Sequence, residues 1–261
     1  METITSRSNP LAVHVKKLGV SRSYRRESGE FLCDGIKLLE DAVKSGAEIT
    51  TVLASARIPF PLPAGARVLQ TERAIIDSLS PMKNSQDILF TCKIPPIGVL
   101  YEQETDCMIH SPGTRILLDG MQDPGNVGTI IRTADAFGIK CVILTDGCAD
   151  IYNPKTVRAT MGAIFRQQVR GMDYAELAAL RDNGARFIAA ALGSDCADIA
   201  DVSLSGAIIA IGGEGRGLSR EILSLCDAKI TIPIDPACQS LNAAVAAAII
   251  MWEARARVSR P

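Results

Sequence analysis

Three short stretches in the second half of the chain gather the residue types that bind ligands and move charge. The first runs Asp119-Gly120-Met121-Gln122-Asp123-Pro124-Gly125-Asn126-Val127-Gly128-Thr129-Ile130-Ile131-Arg132. Its glycines and proline supply a tight backbone path, and Asn126 stands where a helix N-cap is expected. Arg132 then falls on the second turn of that helix, amid apolar Ile130, Ile131 and Ala134. A guanidinium there either closes a structural ion pair or holds an anion. The second stretch is Ile211–Ser219, in which Gly212, Gly213, Gly215 and Gly217 surround Glu214 and Arg216. Such a loop brings backbone close to a ligand and offers N–H donors. Its spacing is neither that of a P-loop nor that of a dinucleotide fingerprint on the first βα turn. The third stretch, Ile232–Asn242, leads into a helix rich in small residues (Ala243, Ala244, Ala246, Ala247, Ala248) that permits close packing. Ser240 and Asn242 are both of the type that caps such a helix.

These stretches need a scaffold, and the flanking pattern supplies one. Strands are expected at Ile116–Asp119, Cys141–Thr145, Arg186–Ala191, Ala207–Ile211 and Lys229–Ile232. Helices are expected at Val127–Phe137, closed by Gly138, and at Pro154–Met161, Tyr174–Asp182, Ser219–Cys226 and Leu241–Arg257. Strands alternating with helices imply βαβ units and a mostly parallel sheet, whose ligand sites lie at the carboxyl ends of the strands. All three stretches fall at such ends.

The first half reads as a smaller α/β unit. Helical spacing is expected over Pro10–Leu18 and again over Phe31–Ser45, stopped by Gly46, with strands at Ile49–Ala54, Arg67–Leu69 and Ile88–Thr91. Pro95, Pro96, the acidic patch Glu102–Asp106 and Ser111-Pro112-Gly113 mark a connection. The division expected is 1–98, a linker at 99–113, and 114–261. Arg7, Lys16, Lys17, Arg22, Arg25 and Arg26 form a run with no acidic residue among them, either a solvated face or a stripe that engages phosphates.

Composition excludes several classes. The 261 residues carry a formal net charge of −1, so the chain is not a simple polycation that coats nucleic acid. With no apolar run of about 18 residues it is expected to make no membrane contact, and with no apolar leader it is expected to be cytoplasmic. Eight cysteines include no C-x-x-C pair and only His14 and His110 are available beside them, so no metal site is expected; reduced, mostly buried thiols are.

N-V-G-T-I-I-R-T-A (Asn126–Ala134), G-G-E-G-R-G-L-S (Gly212–Ser219) and I-P-I-x₅-S-L-N (Ile232–Asn242) resemble, in order and spacing, the three motifs of the SpoU (TrmH) family of RNA 2′-O-methyltransferases, in the SPOUT class. Asn153–Ala163 is similar to that family's intervening stretch. S-N-P-L-A-V-H-V-K-K-L (Ser8–Leu18) and R-R-E-S-G-E-F-L-C-D-G-I-K-L-L-E-D-A (Arg25–Ala42) resemble the ribosomal-protein-like substrate-binding domain of its ribosomal-RNA branch. The chain departs from the common motif at Gln239 and at Ala243-Ala244.

The resemblance implies an α/β fold with a deep trefoil knot in the C-terminal domain and a homodimer through that domain. It also implies S-adenosyl-L-methionine as donor, with S-adenosyl-L-homocysteine as product, and an RNA substrate, ribosomal by branch. By the same carry-over Arg132, Asn126, Glu214, Ser240 and Asn242 are the catalytic set, with Glu214 orienting Arg132 or Asn126. Leu192, Gly212, Gly213, Ile232 and Leu241 would hold the donor. The basic run at Arg7, Lys16, Lys17, Arg22, Arg25 and Arg26 would hold RNA. Transfer RNA as substrate, or a non-catalytic RNA binder on the same fold, are the rival readings. A Rossmann oxidoreductase is disfavoured by the missing glycine spacing.

Overall fold

The computed structural model describes residues 2–4, 6–95 and 113–258; most of the expected linker lies outside them. The chain divides into two compact units, residues 1–96 with 150–166, and residues 97–149 with 167–261.

The first unit is built on a five-stranded mixed sheet of order β1-β4-β3-β5-β2, from β1 (Glu2–Ile4), β2 (Glu30–Asp34), β3 (Ile49–Ala54), β4 (Arg67–Thr71) and β5 (Ile88–Lys93). Period-2 alternation sorts its residues onto two faces. Leu32, Leu53 and Leu89 join Ala12, Val15 and Leu18 of α1 (Pro10–Val20) and Ile76 of α4 (Arg73–Leu79). Phe31, Cys33, Val52 and Phe90 face the other way, against Leu38, Leu39 and Ala42 of α3 (Ile36–Lys44). α2 (Arg22–Ser28) lies between α1 and β2 in the chain.

The expected helix from Phe31 therefore starts too early. Glu30–Asp34 pairs with β5 in antiparallel register, and Gly35, at φ 121°, turns the chain before the helix begins at Ile36. The stop at Gly46, with φ 69°, is as read. Residues 150–166, placed beyond the boundary by sequence, complete the second face instead. Val157 of α6 (Pro154–Ala159) is buried in that cluster, and Phe31 stacks against Tyr152 and Phe165 at 4.7 and 6.2 Å.

Among the described residues the second unit holds seven strands, all paired in parallel, in the order β10-β12-β9-β11-β6-β7-β8. They are β6 (Arg115–Asp119), β7 (Val142–Leu144), β8 (Val169–Gly171), β9 (Phe187–Ala190), β10 (Ala197–Asp198), β11 (Ile208–Gly212) and β12 (Ala228–Thr231). One face packs on α7 (Tyr174–Asp182) and α8 (Arg220–Leu225) through Leu177, Leu180 and Ile222. α5 (Pro124–Phe137) and α9 (Ala243–Val258) pack on each other, burying Val127, Ile130, Ile131, Ala247, Ile250 and Met251. Because β6, β9, β11 and β12 are parallel and close in the sheet, the loops that leave them gather at one edge.

Candidate active site

α5 starts earlier than the sequence reading placed it. Its N-cap is Asp123, whose side chain accepts from the Asn126 N–H at 2.7 Å, and Pro124 takes the first helical position. The cap assigned to Asn126 is thus corrected by three residues. Relieved of capping, the Asn126 side chain is available for other partners, and Arg132 falls on the third turn.

Glu214 gathers two amides. Its Oε1 accepts from Asn126 Nδ2 and from Asn242 Nδ2, both at 2.8 Å, and Asn242 Nδ2 also reaches Asn126 Oδ1 at 3.2 Å. Asn242 does cap the helix that follows: its Oδ1 accepts from the Ala244 and Val245 N–H groups at 2.9 and 3.3 Å. That capping fixes which end of the amide faces the helix, so the Nδ2 end is turned toward Glu214. Three of the five expected catalytic residues form one cluster, drawn from the ends of β6, β11 and β12.

Arg132 is not part of it. Glu214 is committed to the amides, and Arg132 is exposed, with no hydrogen bond or ion pair among the described residues. Six positions along a helix from Asn126, it stands about 9 Å further along the axis and about 120° around it. It shares its exposed face with Thr129 and Ala136.

Beside the cluster lies a cavity of about 500 Å³, within the roughly 300–1,000 Å³ usual for small-molecule sites. All five residues expected to hold the donor line it: Leu192, Gly212, Gly213, Ile232 and Leu241, together with Glu214 and Ser240. Sequence reading missed Ile230, Ala246 and Ile250 in its wall. The last two recur at i and i+4 on α9, a periodicity that marks a shared face.

The glycine-rich loop closes tightly at the rim. The Gly217 N–H donates to the Gly213 carbonyl at 3.1 Å, and a Cβ at Gly212 would overlap the Gly217 carbonyl group. Gly213 packs on the first loop, where a Cβ would meet the Gly120 carbonyl oxygen at 2.8 Å. The first loop is held from beneath by Cys148, which accepts from the Met121 N–H and donates to the Leu118 carbonyl, both at 3.3 Å; burial pushes its thiol pKa up. Apolar walls of Ile211, Ile230 and Ile232 suit the faces of an adenine, and glycine backbone suits its polar edge and ribose. S-adenosylmethionine fits this donor set.

In the first unit, Arg7, Lys16, Lys17, Arg22 and Arg26 are exposed. Arg25 does not join them. It is 3% exposed, and its Nε and Nη2 donate to Asp150 Oδ2 at 3.0 and 2.6 Å while Nη1 donates to the Leu18 carbonyl at 2.6 Å. Its charge is spent inside the unit, so it is removed from the RNA-facing set. A second cavity there, of about 290 Å³, is lined by Ile36, Gln86 and Asp87, and by an Arg73 already paired with Asp77 and Asp87.

Residues 113–252 match the SpoU rRNA methylase family, and residues 9–89 match the MRM3-like substrate binding domain. Over 260 residues the chain is 32% identical to the 23S rRNA (guanosine(2553)-2′-O)-methyltransferase RlmP of Bacillus subtilis, across 98% of this chain and 100% of that one. It is also 32% identical to the 23S rRNA (uridine(2479)-2′-O)-methyltransferase of Streptomyces viridochromogenes, across 98% and 93%. An AdoMet-bound rRNA methyltransferase from Sinorhizobium meliloti superposes with a TM-score of 0.86 at 27% identity, over 99% of both chains.

A parallel sheet with a donor-sized cavity at its carboxyl edge, on a chain with these relatives, is an S-adenosylmethionine-dependent RNA 2′-O-ribose methyltransferase. The chain belongs to the SpoU rRNA methylase family.

Proposed function

We propose that this enzyme methylates a ribose 2′-hydroxyl of 23S ribosomal RNA, as a cytoplasmic homodimer, with the second unit, within 114–261, as the catalytic domain and the first, 1–98 completed by 150–166, as the domain that binds the substrate. The observation that carries the assignment of the site is the Asn126–Glu214–Asn242 cluster at the mouth of the cavity. Two relatives of nearly the same length are named for 23S RNA, which supports the substrate. Among the described residues no helix is long and apolar enough to cross a membrane.

A dimer answers the position of Arg132. Val245, Ile249 and Trp252, at i, i+4 and i+7 on α9, are 48, 36 and 56% exposed. They form an apolar stripe on a helix packed against α5, the helix that carries Arg132. A second copy seated on these faces would bring its own Arg132 to the cluster of the first. Gly212, Gly217 and Leu218 of one loop and Ile232, Ile234 and Leu241 of another line the same cavity, and the helix beyond packs back on α5; this placement supports the deep knot of the family.

S-adenosylmethionine supplies an electrophilic methyl carbon when bound. The protein must align the ribose oxygen with it and help remove the hydroxyl proton. A guanidinium holds its protons too firmly to serve as a base, so Arg132 serves by gripping a phosphate of the target nucleotide, and that phosphate's oxygen takes the proton. Asn126 and Asn242, fixed by Glu214, hold the ribose and backbone, and Ser240 completes the polar wall.

The test is transfer of tritiated methyl groups to total RNA from cells lacking the gene, followed by nuclease mapping. Label on a ribose of 23S RNA is expected. Label confined to transfer RNA overturns the substrate assignment, and no label despite donor binding leaves a non-catalytic binder. Replacing Lys16, Lys17, Arg22 and Arg26 by glutamine should weaken RNA binding and flatten its dependence on log salt by about 3. An unchanged slope would leave those residues as a solvated face only.

A further inference from the structure

The glycine-rich loop is anchored from below by Asp119, the last residue of β6, which is 4% exposed. Its main-chain carbonyl accepts from the Gly213 N–H at 3.1 Å, at the near end of the loop. Its Oδ2 accepts from the Ser219 N–H at 2.7 Å, at the far end. Its Oδ1 accepts from Thr145 Oγ1 at 2.9 Å and from the Tyr174 hydroxyl at 3.2 Å. One residue thus ties both ends of the loop to the sheet and to α7.

Among the described residues no cation pairs with Asp119. Burying a carboxylate with only N–H and O–H partners is costly, and an apolar residue would finish β6 more cheaply. The expense is met where the loop's height decides the shape of a pocket. Glu214, Gly215 and Gly217 between the two anchors all line the cavity, whereas Asp119, Thr145, Tyr174 and Ser219 do not.

We propose that Asp119 is a positioning residue for methyl transfer, setting the loop that shapes the donor pocket and holds Glu214 against its amides, with Tyr174 steadying it from α7. The proposal rests on the reading of the cavity as the donor site. Asp119→Asn keeps the shape but turns one acceptor into a donor facing a donor. Tyr174→Phe removes one hydrogen bond at a partly exposed position outside the pocket.

The experiment is steady-state kinetics of Asp119→Asn, Tyr174→Phe and the double variant, with donor and RNA titrated separately and melting temperatures recorded. Asp119→Asn should raise KM for S-adenosylmethionine about tenfold and Tyr174→Phe about threefold, with KM for RNA moving in the same direction by a smaller factor, since the loop also carries Glu214. The double variant should be no worse than Asp119→Asn alone, because Tyr174 acts through it. A purely structural Asp119 lowers the folded fraction, hence turnover, and leaves both KM values in place; that result overturns the proposal. Should Asp119→Asn not fold, an unchanged donor KM in Tyr174→Phe overturns it equally. Direct donor binding to Gly212→Ala separates the two levels. Wild-type binding in that variant too would take the cavity away as donor site, whereas loss there alone would keep the site and remove the role of Asp119.

Discussion

Arg132→Ala is expected to lower turnover by about 10³-fold while donor affinity stays within about twofold of the native enzyme. The first figure follows from removing a charged group that both positions the target nucleotide and holds the phosphate that takes the proton. The second follows from place: Arg132 does not line the cavity and has no bond to the loops that do. Arg132→Lys keeps the charge but loses the planar fork, and should recover only part of the rate. Mixed dimers then decide which site Arg132 serves. An Arg132→Ala protomer paired with an Asn242→Ala protomer has one intact site if the arginine acts across the interface, giving about a quarter of native activity in a random equimolar mixture. If the arginine serves its own chain, both sites are broken and the mixture stays dead. Native turnover in Arg132→Ala alone would remove it from the reaction.

The sheet and its loops were legible because hydrophobic period and glycine position survive in any reading of the chain. Tyr174–Asp182 is found as expected, fixed by a capping box between Asp173 and Glu176. Short elements carried no such signal: Val169-Arg170-Gly171 and Ala197-Asp198 become β8 and β10 only because β7 and β12 offer them edges to pair with. Phe31 misled for a related reason. Its neighbours Ile36 and Leu39 continue in helical spacing, and only the pairing of Glu30–Asp34 with β5 separates strand from helix.

At the site, residue identities were legible and their partnerships only in part. Three motifs predicted a shared edge, and the cavity does collect every residue expected to hold the donor. The shift of the α5 cap from Asn126 to Asp123 freed an amide, and of the two partners expected for Glu214 it is Asn126, not Arg132, that Glu214 holds. Such exchanges depend on where side chains point after packing, which no spacing rule records. The same holds for Arg25, whose place in a basic run gave no hint of Asp150, 125 positions away.

Gly212→Ala is expected to weaken S-adenosylmethionine binding by about a hundredfold or more while most of the fold persists. The added methyl would overlap the Gly217 carbonyl group and approach the Leu218 nitrogen, and these are backbone atoms that cannot rotate away. Relief must come from lifting the whole loop, but the loop is pinned by the Gly213–Gly217 bridge and by contact between Gly213 and Gly120. Lifting it breaks those contacts and moves Glu214, Gly215 and Gly217, all of which line the cavity. Gly215 offers the contrast. A Cβ there meets nothing within 4 Å, so Gly215→Ala carries only the strain of an alanine at φ 83°, about 1–2 kcal/mol, and should cost about thirtyfold in affinity at most. Calorimetric titration of both variants with the donor, beside their melting curves, measures the difference. Equal affinities would mean that the loop yields as a whole at little cost, and that the close approach at Gly212 has no part in holding the donor.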